Sequence, residues 1–252
     1  MVTTLPGHAR FAHPPLTVEV DGPYACFTRP ELETERVSYP VMTPSAARGV
    51  LQAIYREPGF DYVITAIEVL AEIRWASVRR DEVALMVTLD WVRRAMADPA
   101  QRFDAEVGRD QRNTVFLRDV AYRIRAQVRP RPHATSTEAA YREQFGCRVG
   151  TRACFSQPFL GTRECPASLT RQTDRTPVSQ TEDLGAMLHS ITYTGGETCR
   201  WFDARLESGV MHVPEYGIQL AARAASSDGP VSTAMASGFL TGPGVRCGTG
   251  GR

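Results

Sequence analysis

The sequence contains no lysine: all 29 of its basic residues are arginine. Lysine chemistry is therefore excluded, because a guanidinium does not readily give up a proton. It offers instead a planar fork that grips phosphate at two points. No run of about 18 apolar residues occurs, so no membrane span is expected. Residues 1–15 mix Pro, His and Arg and do not read as a secretory leader, so the expected compartment is the cytoplasm. Six cysteines, at 26, 147, 154, 165, 199 and 247, form no Cys-x-x-Cys pair and no Cys/His group of zinc spacing. They read as small buried apolar residues, and neither metal nor other cofactor is expected. There is no P-loop, no dinucleotide glycine fingerprint and no nucleophile elbow. Their absence argues against the common metabolic enzyme classes.

The chain has 252 residues, 42% of them hydrophobic, enough for one large domain or two small ones. A net charge of +1 does not by itself suggest a polyanion. The distribution does. From Arg109 to Arg152 there are ten Arg against four acids, Asp110, Asp119, Glu138 and Glu143. From Met1 to Phe60 there are five Arg against six acids. A basic stretch in a neutral chain suits a polyanion-binding face, or else a solvated surface with scattered Arg.

Leu16–Val20 alternates apolar and polar residues and predicts a half-buried strand. Thr43-Pro44 is a helix start, and the helix runs to about Arg56. Arg48, Gln52 and Tyr55 share one face of it, away from the Ala46, Ala47, Val50, Leu51 and Ile54 stripe. Tyr62–Val78 predicts a strand, and Leu89–Ala97 a short helix. Phe116–Arg129 is the clearest strand. Val120, Tyr122, Ile124, Ala126 and Val128 point one way; Arg123, Arg125, Gln127 and Arg129 point the other. A helix is expected over Glu138–Arg148, and strands over Phe159–Thr170, Leu184–Tyr193 and Trp201–Val213. From Ser226 on, the Gly, Ser, Ala and Thr composition predicts a disordered tail over 226–252. The order suits an α+β fold with helices on one face of a sheet. A ferredoxin-like, RNA-recognition-like domain is one member of that class.

The residues also carry a resemblance. Asp21-Gly-Pro-Tyr-Ala-Cys-Phe-Thr-Arg-Pro-Glu31 resembles the first-strand region of the subtype I-C Cas-five family of CRISPR-associated proteins. So does Glu35-Arg-Val-Ser-Tyr-Pro-Val-Met-Thr-Pro-Ser-Ala-Ala-Arg-Gly-Val-Leu51, leading into Ala53-Ile-Tyr55. Arg79–Val83, Gln111–Asn113, Leu117–Tyr122, Phe159–Cys165 and Asp183–Leu188 are similar in the same order. A flexible arm is expected at 1–15, and the resemblance, which covers roughly residues 16–213, implies a ferredoxin-like RNA-binding domain at 16–155 and a β-rich part at 156–225. It also implies a role. Family members of this subtype cut precursor CRISPR RNA beside the repeat hairpin, without metal, by attack of a ribose 2′-hydroxyl on its own phosphate. They stay on the 5′ handle, beside the backbone and large subunits of a type I-C interference complex, and so act on target DNA only indirectly.

That reaction needs a base for the 2′-OH proton, an acid for the leaving 5′-oxygen, and a cation for the charged transition state. The family pattern supplies a Tyr at the end of the first helix and a Lys-His pair before the second. Tyr55 matches the Tyr. The pair is missing: Ala139 and Ala140 stand there. His133, six residues upstream of Ala139, is the candidate replacement, since an imidazole with a pKa of about 6.5 serves as acid or base. Arg131 or Arg142 is the candidate cation. Arg48, Arg123, Arg125, Arg129, Arg131 and Arg142 are expected on RNA phosphates; Tyr24, Phe27 and Phe155 are expected to stack on bases or to pack in the core. Two readings stay open: a metal-independent endoribonuclease, and a handle-binding subunit without the cut.

Overall fold

The computed structural model describes residues 11–32, 35–83, 86–98, 100–104, 106, 108–170, 172–193 and 198–219. The expected tail at 226–252 and residues 1–10 of the expected arm lie outside them. In order, the elements are β1 (Leu16–Ala25), β2 (Arg36–Val37), α1 (Pro44–Ile54), β3 (Phe60–Val69), β4 (Arg74–Val83), α2 (Leu89–Ala97), β5 (Arg109–Pro130), α3 (Glu138–Thr151), β6 (Ser168–Thr170), β7 (Glu182–Thr192), β8 (Thr198–Glu207) and β9 (Val210–His212).

The alternating run that predicts the clearest strand becomes the spine of the molecule. Its strand, β5, is longer than expected because it starts at Arg109 and does two jobs. Arg109–Arg118 pairs with β4 as an exposed arm; the second half lies between β1 and β3. Asp119, with φ 53°, sits where the two halves meet. Asp tolerates this left-handed conformation better than most residues. The sheet order is β6-β1-β5-β3-β9-β8-β7, with β2 and β4 also pairing with β5. Every pairing is antiparallel except β2 with β5. The fold is thus mixed α and β, built on a curled antiparallel sheet: α1 packs on β3 and also on β7 at the far end of the strand order. One sheet joins the parts expected at 16–155 and 156–225, since β6 pairs with β1 and β9 with β3.

Helix α1 forms as its sequence dictates. The Thr43 hydroxyl accepts the Ala46 N–H at 3.3 Å, Pro44 fills the first turn, and Ala47, Val50, Leu51 and Ile54 are buried. The Tyr62–Val78 run is two strands, because Leu70 leaves β3 to donate to the Ala121 carbonyl at 2.9 Å and the chain then turns out into the arm. Trp201–Val213 is likewise a hairpin, β8–β9. Ser208 and Gly209 both have positive φ (48° and 77°), as a tight two-residue turn requires. Of Phe159–Thr170 only Ser168–Thr170 is strand, since Gly161 (φ 88°) turns the chain beneath Cys26. Residues 11–15 are tied to the body, with the His13 carbonyl accepting from Gln127 at 3.0 Å and the Pro14 carbonyl accepting from Arg142.

One face of β5 is apolar: Val120, Tyr122, Ile124, Ala126 and Val128 are all buried in the main core. The other face is buried as well. Arg123 lies in direct register with Glu19 of β1 and Glu68 of β3. Its guanidinium donates to Glu19 Oε1 at 2.6 and 2.9 Å and to Glu68 Oε2 at 2.6 Å. It also donates to the carbonyls of Thr173 and Arg175, at 2.9 and 2.8 Å. Arg125 supplies the second cation, bound to Glu68 Oε1. Residues 173–175 therefore lie over this face of the sheet. Burial alone would raise the Glu19 carboxyl; bonds from the Thr173 N–H and hydroxyl and from Arg123 outweigh it, and the net shift is downward.

Breaking such a buried pair from one side strands a charge. Arg123→Met is expected to lower the unfolding free energy by about 3–5 kcal/mol in urea titration, with Glu19→Gln/Arg123→Met recovering part of the loss. Glu19 has a depressed folded-state pKa, so its contribution is present above the ordinary value of 4.5 and is lost as pH falls through the lower folded-state value. Glu19→Gln should therefore flatten the fall in stability between about pH 5 and 3, a slope that denaturant titrations at several pH values measure.

Candidate functional site

Tyr55 is the residue that ends α1. Its backbone is extended (φ −144°), and its N–H still donates to the Leu51 carbonyl. The ring is half-buried, 5.6 Å from the Phe60 ring, which in turn lies 4.7 Å from Tyr141 of α3. Arg148, near the end of α3, covers the ring with its guanidinium carbon 5.2 Å from the centroid. That is cation–π distance. Burial pushes the Tyr55 phenol up, Glu57 and Tyr141 add to this, and Arg148 offsets part of it. The phenol thus stays protonated at neutral pH. A protonated phenol can donate a hydrogen bond or a proton.

His133 lies exposed in the loop between β5 and α3. Its Nε2 is 3.1 Å from the Pro58 carbonyl. A carbonyl only accepts, so Nε2 carries the hydrogen and Nδ1 of the neutral ring is left as the acceptor. The loop is held against the Tyr55–Phe60 corner: Arg131 N–H donates to the Gly59 carbonyl at 2.8 Å, and Ser136 N–H donates to Tyr141 Oη at 3.2 Å. Gly59 is required there, because a Cβ would collide with Tyr141 Oη. Residues 55–60 thus carry Tyr55 at one end and receive the His133 loop at the other. Ala139 and Ala140 fall in the first turn of α3.

Two of the expected RNA contacts are corrected. Arg123 is 5% exposed and spends its guanidinium on two carboxylates and two carbonyls. Phe27 is 2% exposed and packs edge-on against Tyr122 at 5.8 Å. Alternation identifies a face of a strand but not the segment that covers it, and here residues 173–175 do so. Arg125 is bound to Glu68, Arg129 to Glu215, Arg131 in two-point fashion to Asp61, and Arg142 to Glu138 and Gln127. Arg48 donates to the Tyr62 carbonyl at 3.3 Å; burial pulls its pKa down, and Asp61 partly restores it. Tyr24 is 49% exposed, beside Phe116 at 6.2 Å.

The basic stretch therefore looks different in three dimensions. Of its ten Arg, eight have a carboxylate within ion-pair distance: Arg109, Arg112, Arg118, Arg123, Arg125, Arg129, Arg131 and Arg142. The other two are Arg148 and Arg152, neither with a carboxylate partner among the described residues. Both stand at the end of α3, and Arg148 lies over the Tyr55 ring. Sequence reasoning passed over them. A signal existed: Tyr141, Phe145 and Arg148 fall at i, i+4 and i+7, one helix face, and the first two carry core rings packed on Phe60 and Tyr62.

Known proteins place this arrangement in a family. A family model described as CRISPR-associated protein (Cas_Cas5) matches residues 16–224. The chain is 40% identical over 222 residues to the CRISPR pre-crRNA endoribonuclease Cas5d of Mannheimia succiniciproducens, covering 80% of this chain and 95% of that one. It is 42% identical over 179 residues to the protein of the same name from Thermus thermophilus, covering 71% and 73%. A crystal structure of a CRISPR-associated protein superposes with a TM-score of 0.57 at 21% identity, over 79% of this chain and 91% of that one, which supports the fold. The chain belongs to the Cas5 family of CRISPR-associated proteins, subtype I-C.

Proposed function

We propose that this chain cuts precursor CRISPR RNA without a metal and then stays on the 5′ handle as a subunit of a type I-C interference complex. The observation that carries the proposal is the Tyr55 corner in a chain whose relatives are named as pre-crRNA endoribonucleases: a phenol held protonated, covered by an arginine, with a histidine loop docked on the same turn. The RNA-binding body is ferredoxin-like. The local order β6-β1-β5-β3, with α1 between β1 and β3 and α3 between β5 and β6, supports that description.

The chemistry follows from the groups present. The ribose 2′-oxygen attacks the adjacent phosphorus, and the bond from phosphorus to the 5′-oxygen breaks. His133 Nδ1 takes the 2′-OH proton; Tyr55 gives its proton to the departing 5′-oxygen. The products are a 2′,3′-cyclic phosphate and a 5′-hydroxyl, and proton exchange with water resets both side chains. A raised phenol pKa suits the donor role, because a deprotonated Tyr55 has nothing to give.

A second reading has its own support. Ala139 and Ala140 replace the pair that the family resemblance implies, and the His133 Nε2 is already engaged by Pro58. In that reading the chain binds the handle, and another nuclease cuts.

Incubating purified protein with its own labelled CRISPR repeat RNA in EDTA separates the two. Site-specific cutting that slows by about 10²–10⁴-fold in Tyr55→Phe and His133→Ala, with binding retained, supports the nuclease. Salt-sensitive binding with no cut in any of the proteins establishes the second reading. The pH–rate profile gives a further check. With the phenol above its ordinary value of 10.0, no falling limb assignable to Tyr55 should appear between about pH 7 and 9. A limb in that window that vanishes in Tyr55→Phe would rule out the donor role.

A further inference from the structure

We propose that Arg148, Arg152 and Phe155 form a one-nucleotide docking site beside Tyr55: the two arginines hold RNA phosphate and the Phe155 ring stacks on the adjoining base. The inference rests on the reading that this chain binds CRISPR RNA. It does not require that the chain cut it.

Three independent observations meet here. The first is charge. Eight of the ten Arg in the basic stretch have a carboxylate within ion-pair distance; Arg148 and Arg152 have none among the described residues, Arg148 resting over the Tyr55 ring and 3.5 Å from the Ala153 carbonyl. A guanidinium already bound to a carboxylate must exchange one anion for another, and the net gain is small. An arginine without that partner gains the whole interaction.

The second is an exposed aromatic that cannot drift. Phe155 is 67% exposed. Its backbone N–H donates to the Ile54 carbonyl at 3.2 Å, and that of Ser156 to the Ala53 carbonyl at 3.0 Å. These bonds occupy carbonyls at the open end of α1, so the Phe155 backbone is fixed against the last residues of that helix and its ring is presented to solvent there. An aromatic side chain presented to solvent on a rigid support is what a stacking base needs.

The third is space. An open surface pocket of about 480 Å³ adjoins the segment that follows α3, with Arg152, Cys154, Ser156, Gln157, Ser168 and Leu169 on its wall, so of the three proposed residues it is Arg152 that borders it. The volume lies within the range of small-ligand sites, about 300–1,000 Å³. Gln157 braces its wall by donating to the Pro158 and Ala167 carbonyls at 3.2 and 3.1 Å. Arg152 is set by the helix end: its backbone is left-handed (φ 55°), and its N–H closes the last turn on Arg148 and Val149.

The placement has a chemical consequence. A phosphate on Arg148 stands over the Tyr55 ring, within reach of the phenol that donates in cleavage. Arg148 keeps its proton and neutralises the extra charge of the five-coordinate phosphorus. That is the job for which the sequence pointed to Arg131 or Arg142, both of which already hold carboxylates.

The test uses the full-length protein and its own labelled CRISPR repeat RNA, with binding measured across about 50–200 mM salt. Arg148→Ala/Arg152→Ala should lower the slope of log affinity against log salt by about 0.7, the value for one neutralised phosphate on a single strand. Phe155→Ala should weaken binding about 5- to 150-fold. Phe155→Trp should keep binding and show indole emission quenched by RNA, a signal that does not depend on the arginine variants folding. Arg93→Ala, in the exposed α2 helix, should match wild type. The proposal fails if the folded double variant and Phe155→Ala both bind like Arg93→Ala. It fails equally if the emission gained in Phe155→Trp ignores RNA that is bound. Wild-type binding without cutting overturns the nuclease reading and leaves this site standing. Normal cutting by both variants together with binding like Arg93→Ala leaves the nuclease reading standing and removes the site.

Discussion

Arg123 of β5 occupies a point where both flanking strands need a cation. Glu19 and Glu68 flank it in register, Arg125 balances the second carboxylate, and the backbone of residues 173 and 175 closes over the top. Two acids and two bases cancel, so the cluster adds no net charge to the interior. What it adds is register. A slip of one residue in β1 or β3 turns a carboxylate to the opposite face, onto Val120, Tyr122 and Ile124, and leaves the buried guanidinium unpaired. An apolar contact in the same place would tolerate such a slip far better. The cluster also fastens residues 173–175, which lead from β6 to β7, so the β-rich second half is anchored to the central strand and not merely to the sheet edge.

The site inherits its geometry from that register. β3 begins at Phe60, and the position of Phe60 fixes the rings that stack on it: Tyr55 from the end of α1 and Tyr141 from α3. Phe145 meets Tyr62 two residues further along β3. Ring contacts to Phe60 and Tyr62 of β3 thus set one face of α3, which also packs on β5 and α1, and the next residue on that face, Arg148, reaches the Tyr55 ring. A sheet held by buried ion pairs positions an exposed reactive corner through a chain of rings.

Much of this was legible in the sequence. The N-cap and proline of α1, the bounds of α2 and the apolar alternation of β5 each rest on short-range chemistry that a reader can see. The β4–β5 arm was not legible, since Arg74–Val83 reads as a continuation of the strand before it, and only the distant partner Arg109–Arg118 makes it an arm. The arginines were misread for the same reason. Three Arg on one strand face suggest a nucleic-acid platform, but their carboxylate partners come from positions 19, 68 and 215, and no local pattern connects them. Tyr55 was singled out because it matches the tyrosine that the family resemblance implies at the end of the first helix; Arg148 was passed over because its surroundings depend on what α3 packs against.

A protein of net charge +1 that binds a polyanion must concentrate its available cations. Total arginine is the wrong count, because arginines spent on internal carboxylates contribute little to outside anions and mainly hold strands and loops in place. Arg131 ties the His133 loop to Asp61 of β3, and Arg129 ties β5 to Glu215 beyond β9. The division of labour is spatial: paired arginines build the body, and the unpaired ones of the basic stretch gather at the end of α3. With no lysine in the chain, every one of these cations is charged at any pH the protein meets. Binding to RNA should then respond to salt far more than to pH, while cutting by the proposed proton transfer through Tyr55 and His133 responds to both. That difference separates the two functions by physics alone, because screening acts on the arginines and titration acts on the phenol and the imidazole.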